Sequence, residues 1–374
     1  MNSSHTRRYG KIAVLLTILM WPAAARADDI SESGKAALKM LEGVSFFGDM
    51  RVRYEGIFDD TTIGDNRGRF RARIGLKKSF GNFASLTFRG ASGSEAIATS
   101  PNQTFTGNFT PKSLNIDQAY GTIRPLANFE ISGGKMPTPF FATDLLWDGD
   151  LNPEGLAQKI RAKIGAYEVS LNFGQFVFNS STTAEDGYIL GFQAVTVHEL
   201  QGGSRVTVAP AVTQVIRPTA TLGVGVNGNL TNAAGTALIS DFQIVNVPVR
   251  FETNLKSGTP FWVDFDYAHN HGAKSFNGKT YGNGFLAEVA AGRAKKRGDW
   301  MAKYRYAQIE PDAVLSAFND SDFSFTDSKG HRIKLNYVAW DFLQFTGTGY
   351  FLKSVRPGAR PNRSRIQIDA TLSF

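Results

Sequence analysis

Between Asn66 and Lys77 the chain reads NRGRFRARIGLK. Arg67, Arg69, Arg71 and Arg73 take every second position, with Gly68, Phe70, Ala72, Ile74 and Leu76 on the others. At a period of two, one face of a single strand carries four guanidiniums and the other carries none. A charged residue facing lipid at mid-bilayer costs about 2–4 kcal/mol, so four on one strand would cost on the order of 10 kcal/mol. The arginine face of this strand must therefore see water, whatever the apolar face sees.

The same split recurs along the chain. Arg51, Arg53 and Glu55 alternate with Met50, Val52 and Tyr54. Tyr167, Val169, Leu171 and Phe173 alternate with Glu168, Ser170 and Asn172. Phe261, Val263, Phe265 and Tyr267 alternate with Asp264 and Asp266, and Ile366 to Phe374 alternates to the last residue. A soluble sandwich alternates as well, and two features decide against it. One is the start of the chain. Arg7, Arg8 and Lys11 precede the apolar run Ile12–Met20, and Ala25-Arg26-Ala27 fits a signal-peptidase site, so residues 1–27 are expected to be a cleaved signal peptide. The run is too short to span a bilayer as a helix. The other is loop length. Long connections are expected near 57–65, 93–113, 137–153, 177–187, 216–241, 269–283 and 309–330, with a shorter one at 353–361. Tight turns are expected near 78–82, 124–128, 161–165, 198–204, 256–260, 293–298 and 339–341. Long loops on one side and short turns on the other describe an outer-membrane barrel.

The expected fold is thus an all-β transmembrane antiparallel barrel of about sixteen strands over residues 46–374. Residues 28–45 precede it as a short periplasmic segment, helical from Ser31 to Gly43. The segments near 154–160, 188–197 and 204–215 are weakly patterned, which leaves the count open by two. Phe, Tyr, Trp, Val and Leu are expected to face lipid. The polar faces, including Arg51, Arg53, Arg67, Arg69, Arg71, Arg73 and Arg89, are expected to line a water-filled lumen.

Several segments resemble a family of Gram-negative outer-membrane barrels, the bacterial putative porins. They are Ile116-Asp117-Gln118-Ala119-Tyr120, Gly133 to Phe140 (GGKMPTPF), Leu145 to Gly155 (LLWDGDLNPEG), Ala317 to Phe323 (AFNDSDF) and Lys329-Gly330-His331. The resemblance implies a passive channel in the outer membrane for small hydrophilic solutes or ions, with no cofactor and no catalytic residues. By analogy with general porins, the third long loop would fold into the lumen and set Asp144, Asp148 and Asp150 against the arginine row. Such opposed charges filter polar solutes. The density of Arg points to an anion preference, which Asp264, Asp266, Glu168, Glu252 and Glu288 would offset. The analogy also implies a homotrimer. A terminal strand ending in Phe374 resembles the signal read by the barrel assembly machinery. A plugged barrel acting through its extracellular loops, as an adhesin or structural protein, has the same strand pattern.

Other chemistry is poorly supported. The chain has no Cys, so a disulfide frame and a thiolate metal site are excluded. His269-x-His271 lacks a third ligand. His198 and His331 have no nucleophile setting, and Gly223, Gly225 and Gly228 are followed by no Lys-Ser/Thr of a phosphate loop. Loss of residues 1–27 removes four cations and no acid, taking the formal charge from +8 to +4. That balance does not suit nucleic acid.

Overall fold

The computed structural model describes residues 41–60, 62–94, 97–105, 108–180, 186–219 and 227–374. The expected signal peptide and almost all of the expected helix lie outside the described residues. The barrel forms one compact unit from Ser45 to Phe374.

Sixteen antiparallel strands close on themselves. They are β1 (Val44–Asp59), β2 (Thr62–Phe80), β3 (Ala84–Ser92), β4 (Leu114–Leu126), β5 (Phe129–Lys135), β6 (Glu154–Ile164), β7 (Tyr167–Asn179) and β8 (Gly187–Glu199). Next come β9 (Arg205–Val208 and Ala211–Ile216), β10 (Phe242–Asn246 and Val249–Asn254), β11 (Pro260–Asn270) and β12 (Asn283–Gly292). The last four are β13 (Trp300–Ile309), β14 (Ser328–Trp340), β15 (Leu343–Ser354) and β16 (Arg363–Ser373). β16 pairs with β1 from Asp49 opposite Ser373 to Asp59 opposite Arg363, so no edge strand is left. Phe374 extends this seam, exchanging two 3.1 Å backbone bonds with Gly48.

Where a strand is interrupted, proline is the cause. Pro210 and Pro248 have no N–H to give to the ladder. Their carbonyls still accept, from Ala194 at 3.1 Å and Ala209 at 2.9 Å. This break explains the faint alternation of 204–215. The expected long loop at 57–65 is replaced by a tight connection, because β1 ends at Asp59 and β2 starts at Thr62. The turn-forming residues there are drawn into an extended hairpin, with Tyr54 Oη donating to Asn66 at 3.0 Å and Arg67 Nε donating to Glu55 at 2.6 Å. β1 also begins at Val44, inside the segment expected to end at residue 45.

Outward positions such as Val52, Tyr54, Ile74, Phe88, Leu156, Tyr304 and Ile368 are exposed apolar residues, the band that a bilayer covers. The rule that apolar side chains face lipid fails on one arc of the barrel. Phe176, Ile189, Val215, Phe242, Ile244, Leu286, Ile309 and Leu352 point inward and are buried. They pack against Leu145, Leu146, Trp147 and Leu151 of the loop after β5, and against Ala313, Val314, Leu315 and Phe323 of the loop after β13. The two loops form a dry core inside the barrel and fill part of its lumen.

Candidate functional site

The loop between β5 and β6 leaves the wall at a pair of glycines. Gly134 and Gly155 are register partners, with φ of 118° and 151°. A Cβ on Gly134 would lie 2.3 Å from the Ala119 carbonyl oxygen, and one on Gly155 would lie 2.0 Å from that of Gln175. Only glycine fits at either position. The root is closed by Met136 N–H donating to the Pro153 carbonyl at 2.9 Å. From there the loop crosses the interior. The Phe141 N–H donates to Gln193 on β8 at 2.8 Å, and Thr143 donates to Asp266 on β11 at 2.7 Å. Asp144 meets Arg305 on β13 at 2.7 Å and Arg332 on β14 at 3.1 Å. The chain then returns, and Asp150 lies 3.4 Å from Arg73 and 3.6 Å from Arg71 on β2.

What remains open is a polar eyelet of about 450 Å³. One wall is Arg51 and Arg53 of β1 with Arg71 and Arg73 of β2. The loops contribute Asp144, Asp148, Asp150, Asp320 and Asp322. Arg332, Lys334, Tyr350 and Asp369 complete the ring, with Thr346, Thr348 and Gln367 as neutral donors and acceptors. The structure thus brings four of the seven arginines singled out in the sequence into one cavity with all three loop carboxylates. Arg67 and Arg69 stand further along β2 beside Glu55, the latter at 3.5 Å, and Arg89 donates to Asp117 at 2.6 Å.

Each arginine is held by carboxylates from other strands. Arg53 binds Asp369 through two bonds of 2.7 and 2.8 Å and reaches Asp322 at 3.3 Å. Arg71 donates to Asp49 at 2.8 Å, and Arg73 does so at 2.7 Å. Arg51 donates to Asn102 at 2.7 Å, with Asp369 at 3.7 Å. Glu288 gathers Lys303 at 3.1 Å, Arg305 at 2.9 Å and Arg332 at 2.5 Å. Bidentate and charge-assisted bonds of this kind fix guanidinium planes rather than leave them mobile. Lys334 lines the eyelet and makes no ion pair among the described residues.

The loop carboxyls differ in charge state. Burial opposes ionisation of Asp144 and Asp322, but Arg305 and Arg332 beside the first, and Arg365 and Arg53 beside the second, hold both well below the usual range. Burial and the nearby Asp320 push Asp148 up to about 9. Burial and Asp144 raise Asp320 to about 6. Asp148 is therefore largely neutral at pH 7.

Residues 57–216 and 215–346 match a protein family described as "Putative porin". The chain belongs to this family. It is an outer-membrane porin, a channel rather than an enzyme. No curated protein matches this porin. Its fold is shared with OprB of Pseudomonas putida in a high-pH structure, at a TM-score of 0.60 and 14% identity, over 91% of this chain and 97% of that one. OmpT, an outer membrane protein of Vibrio cholerae folded in vitro, gives 0.51 at 12% identity, over 88% of this chain and 99% of OmpT.

Sequence reasoning missed half of the porin's eyelet. Asp320 and Asp322 lie in a segment that carries the family resemblance, which does not by itself place their loop inside the barrel. The apolar run Ala313-Val314-Leu315 in that loop was the available signal, since such a run needs a core to enter. His269, at the end of β11, sits 2.9 Å from Asn283 Oδ1 with its ring 4.6 Å from that of His271. Among the described residues, no group of three His, Asp or Glu could hold a metal.

Proposed function

We propose that this porin is a passive diffusion channel for small hydrophilic solutes and ions, with the eyelet as its filter and a preference for anions. The observation that carries the preference is Lys334. It stands in the constriction with no ion-pair partner among the described residues, while the loop carboxylates opposite are engaged by arginines or, in Asp148, largely protonated. A fixed field between a cationic wall and an acidic loop orients polar solutes as they pass, and the unpaired ammonium tips the balance toward negative charge.

Single-channel recording of the folded barrel in a salt gradient tests this. The expected result is stepwise conductance with a reversal potential on the chloride side, moved toward potassium by Lys334→Glu. Potassium preference in the unmodified protein would overturn the anion reading. Silence from folded protein would favour the plugged barrel. OmpT of Vibrio cholerae has a trimer form, and we extend that assembly to this chain. Cross-linking in outer-membrane preparations, expected to yield a threefold species, checks it.

A further inference from the structure

The eyelet lies against β1, β2 and β14–β16. A second cavity, of about 600 Å³, lies against β6–β8 and reaches the short turn at Ala127–Asn128. Its roof is Pro139, Phe140 and Phe141 of the constricting loop. That places it on the short-turn side of the loop, which in such barrels is periplasmic.

β6 supplies its charge. Leu156, Ile160 and Ile164 are exposed on the outer face, so Lys159, Arg161 and Lys163 project inward. The inward parity is fixed by the register partners. Ala157 is buried and pairs with Gly174, where a Cβ would come 2.9 Å from the Phe140 ring inside the barrel. Glu130 and Glu168 are the carboxylates that face this row. Glu130 is the register partner of Lys159, is held by Arg124 at 2.9 Å and lies 3.7 Å from Arg161. Glu168 is the register partner of Lys163. Lys159 and Lys163 make no ion pair among the described residues. Val195 and Val197 add apolar surface to the lining, and Asn128, Ser170 and Asn172 add neutral polar groups. The roof is rigid, since Phe141 exchanges two 2.8 Å bonds with Gln193.

Cations in excess beside a fixed aromatic ceiling suit a ligand with both characters. We propose that this chamber binds small organic anions with an apolar, aromatic body, the carboxylate meeting Lys159 and Lys163 and the ring lying beneath Phe140 and Phe141. An inorganic anion would gain only the charge term, which water and salt screen. An aromatic carboxylate also removes its ring from water. The proposal rests on the channel reading for how the ligand arrives, but not for whether it binds.

Titration calorimetry on the folded full-length barrel in detergent separates the two, with benzoate as the probe and acetate as the control without a ring. Benzoate is expected to bind saturably and acetate not. Lys159→Gln with Lys163→Gln is expected to weaken benzoate by about tenfold or more. Equal binding of acetate, no benzoate binding, or benzoate binding unchanged in the double variant would each overturn the site. In bilayers, benzoate added to one chamber is expected to block the current from that side only, and block of equal strength from both sides counts against the placement. A barrel that binds benzoate but does not conduct would sink the channel reading and leave the site standing.

Discussion

The backbone N–H of Asp148 donates to the carbonyl of Phe318 across 2.8 Å, joining the two loops that fill the barrel. Asp148 also accepts from the N–H of Asp150 at 2.8 Å and of Ser321 at 3.3 Å. Asp320 lines the same cavity, with Arg305 at 3.6 Å and Arg332 at 3.8 Å. The junction is therefore built on a carboxyl that keeps its proton, beside one more readily charged.

That arrangement makes the junction weaken as pH rises. The Asp148 carboxyl is raised to about 9 in the fold, above its ordinary range, so the folded state holds the proton more tightly than the unfolded chain. Its contribution is complete only below the ordinary carboxylate range, about pH 4, and is lost progressively as pH rises from there through the folded value. The thermal unfolding midpoint in detergent is expected to fall as pH rises from about 4 to about 9 and to level off above that. Asp148→Asn should flatten that slope. An unmodified protein with a flat profile would show that Asp148 carries no such proton.

Asp144 holds the far side of the eyelet. It contacts Arg305 and Arg332 in a network that Glu288 completes. Asp144→Asn leaves both guanidiniums with Glu288 but removes one negative charge from the constriction. The expected cost is about 1–3 kcal/mol of stability, with a reversal potential displaced toward chloride. An unchanged reversal potential would place Asp144 outside the conducting path.

The glycines at the loop root give a sharper test. Gly155→Ala puts a Cβ 2.0 Å from the Gln175 carbonyl oxygen at a φ of 151°. Backbone strain of this kind costs on the order of 1–3 kcal/mol before any clash is counted. The folded, heat-resistant form on gels is expected to be strongly reduced. Gly149→Ala, in the same loop but with open space around it, should fold as the unmodified chain does. Equal yields from the two would remove steric necessity as the reason for Gly155.

Much of this architecture was legible in the sequence because a barrel wall repeats one physical rule. Alternation placed Arg71 and Asp264 inward and Ile74 and Phe265 outward without any knowledge of their neighbours. The eyelet was only half legible. That Arg53 would be held by Asp369, and Arg71 by Asp49, depends on the β1–β16 and β1–β2 registers, which local periodicity does not encode. The general rule that Tyr and Leu face lipid would put Tyr350 and Leu352 outward. Their inward packing is dictated by Phe323, Val314 and their neighbours in a loop whose entry into the lumen no local pattern announces.

Trp147 ties these observations together. It is buried in the loop after β5, with its ring 6.0 Å from Phe140 and 6.3 Å from Phe176 on the β7 wall. Packing of this kind, rather than hydrogen bonding alone, keeps the loop from swinging out of the lumen. Trp147→Ala removes a large buried side chain, a change that costs about 3–5 kcal/mol in well-packed cores. Because the strand ladder does not depend on Trp147, the barrel is expected to remain folded while the loop loosens. Single-channel conductance should rise and become noisy, and the reversal potential should move toward chloride as Asp150 leaves Arg71 and Arg73. Unchanged conductance with a lowered urea midpoint would mean that the loop stays seated through its polar contacts, and that Thr143, Asp144 and Asp150 rather than Trp147 hold the eyelet in place.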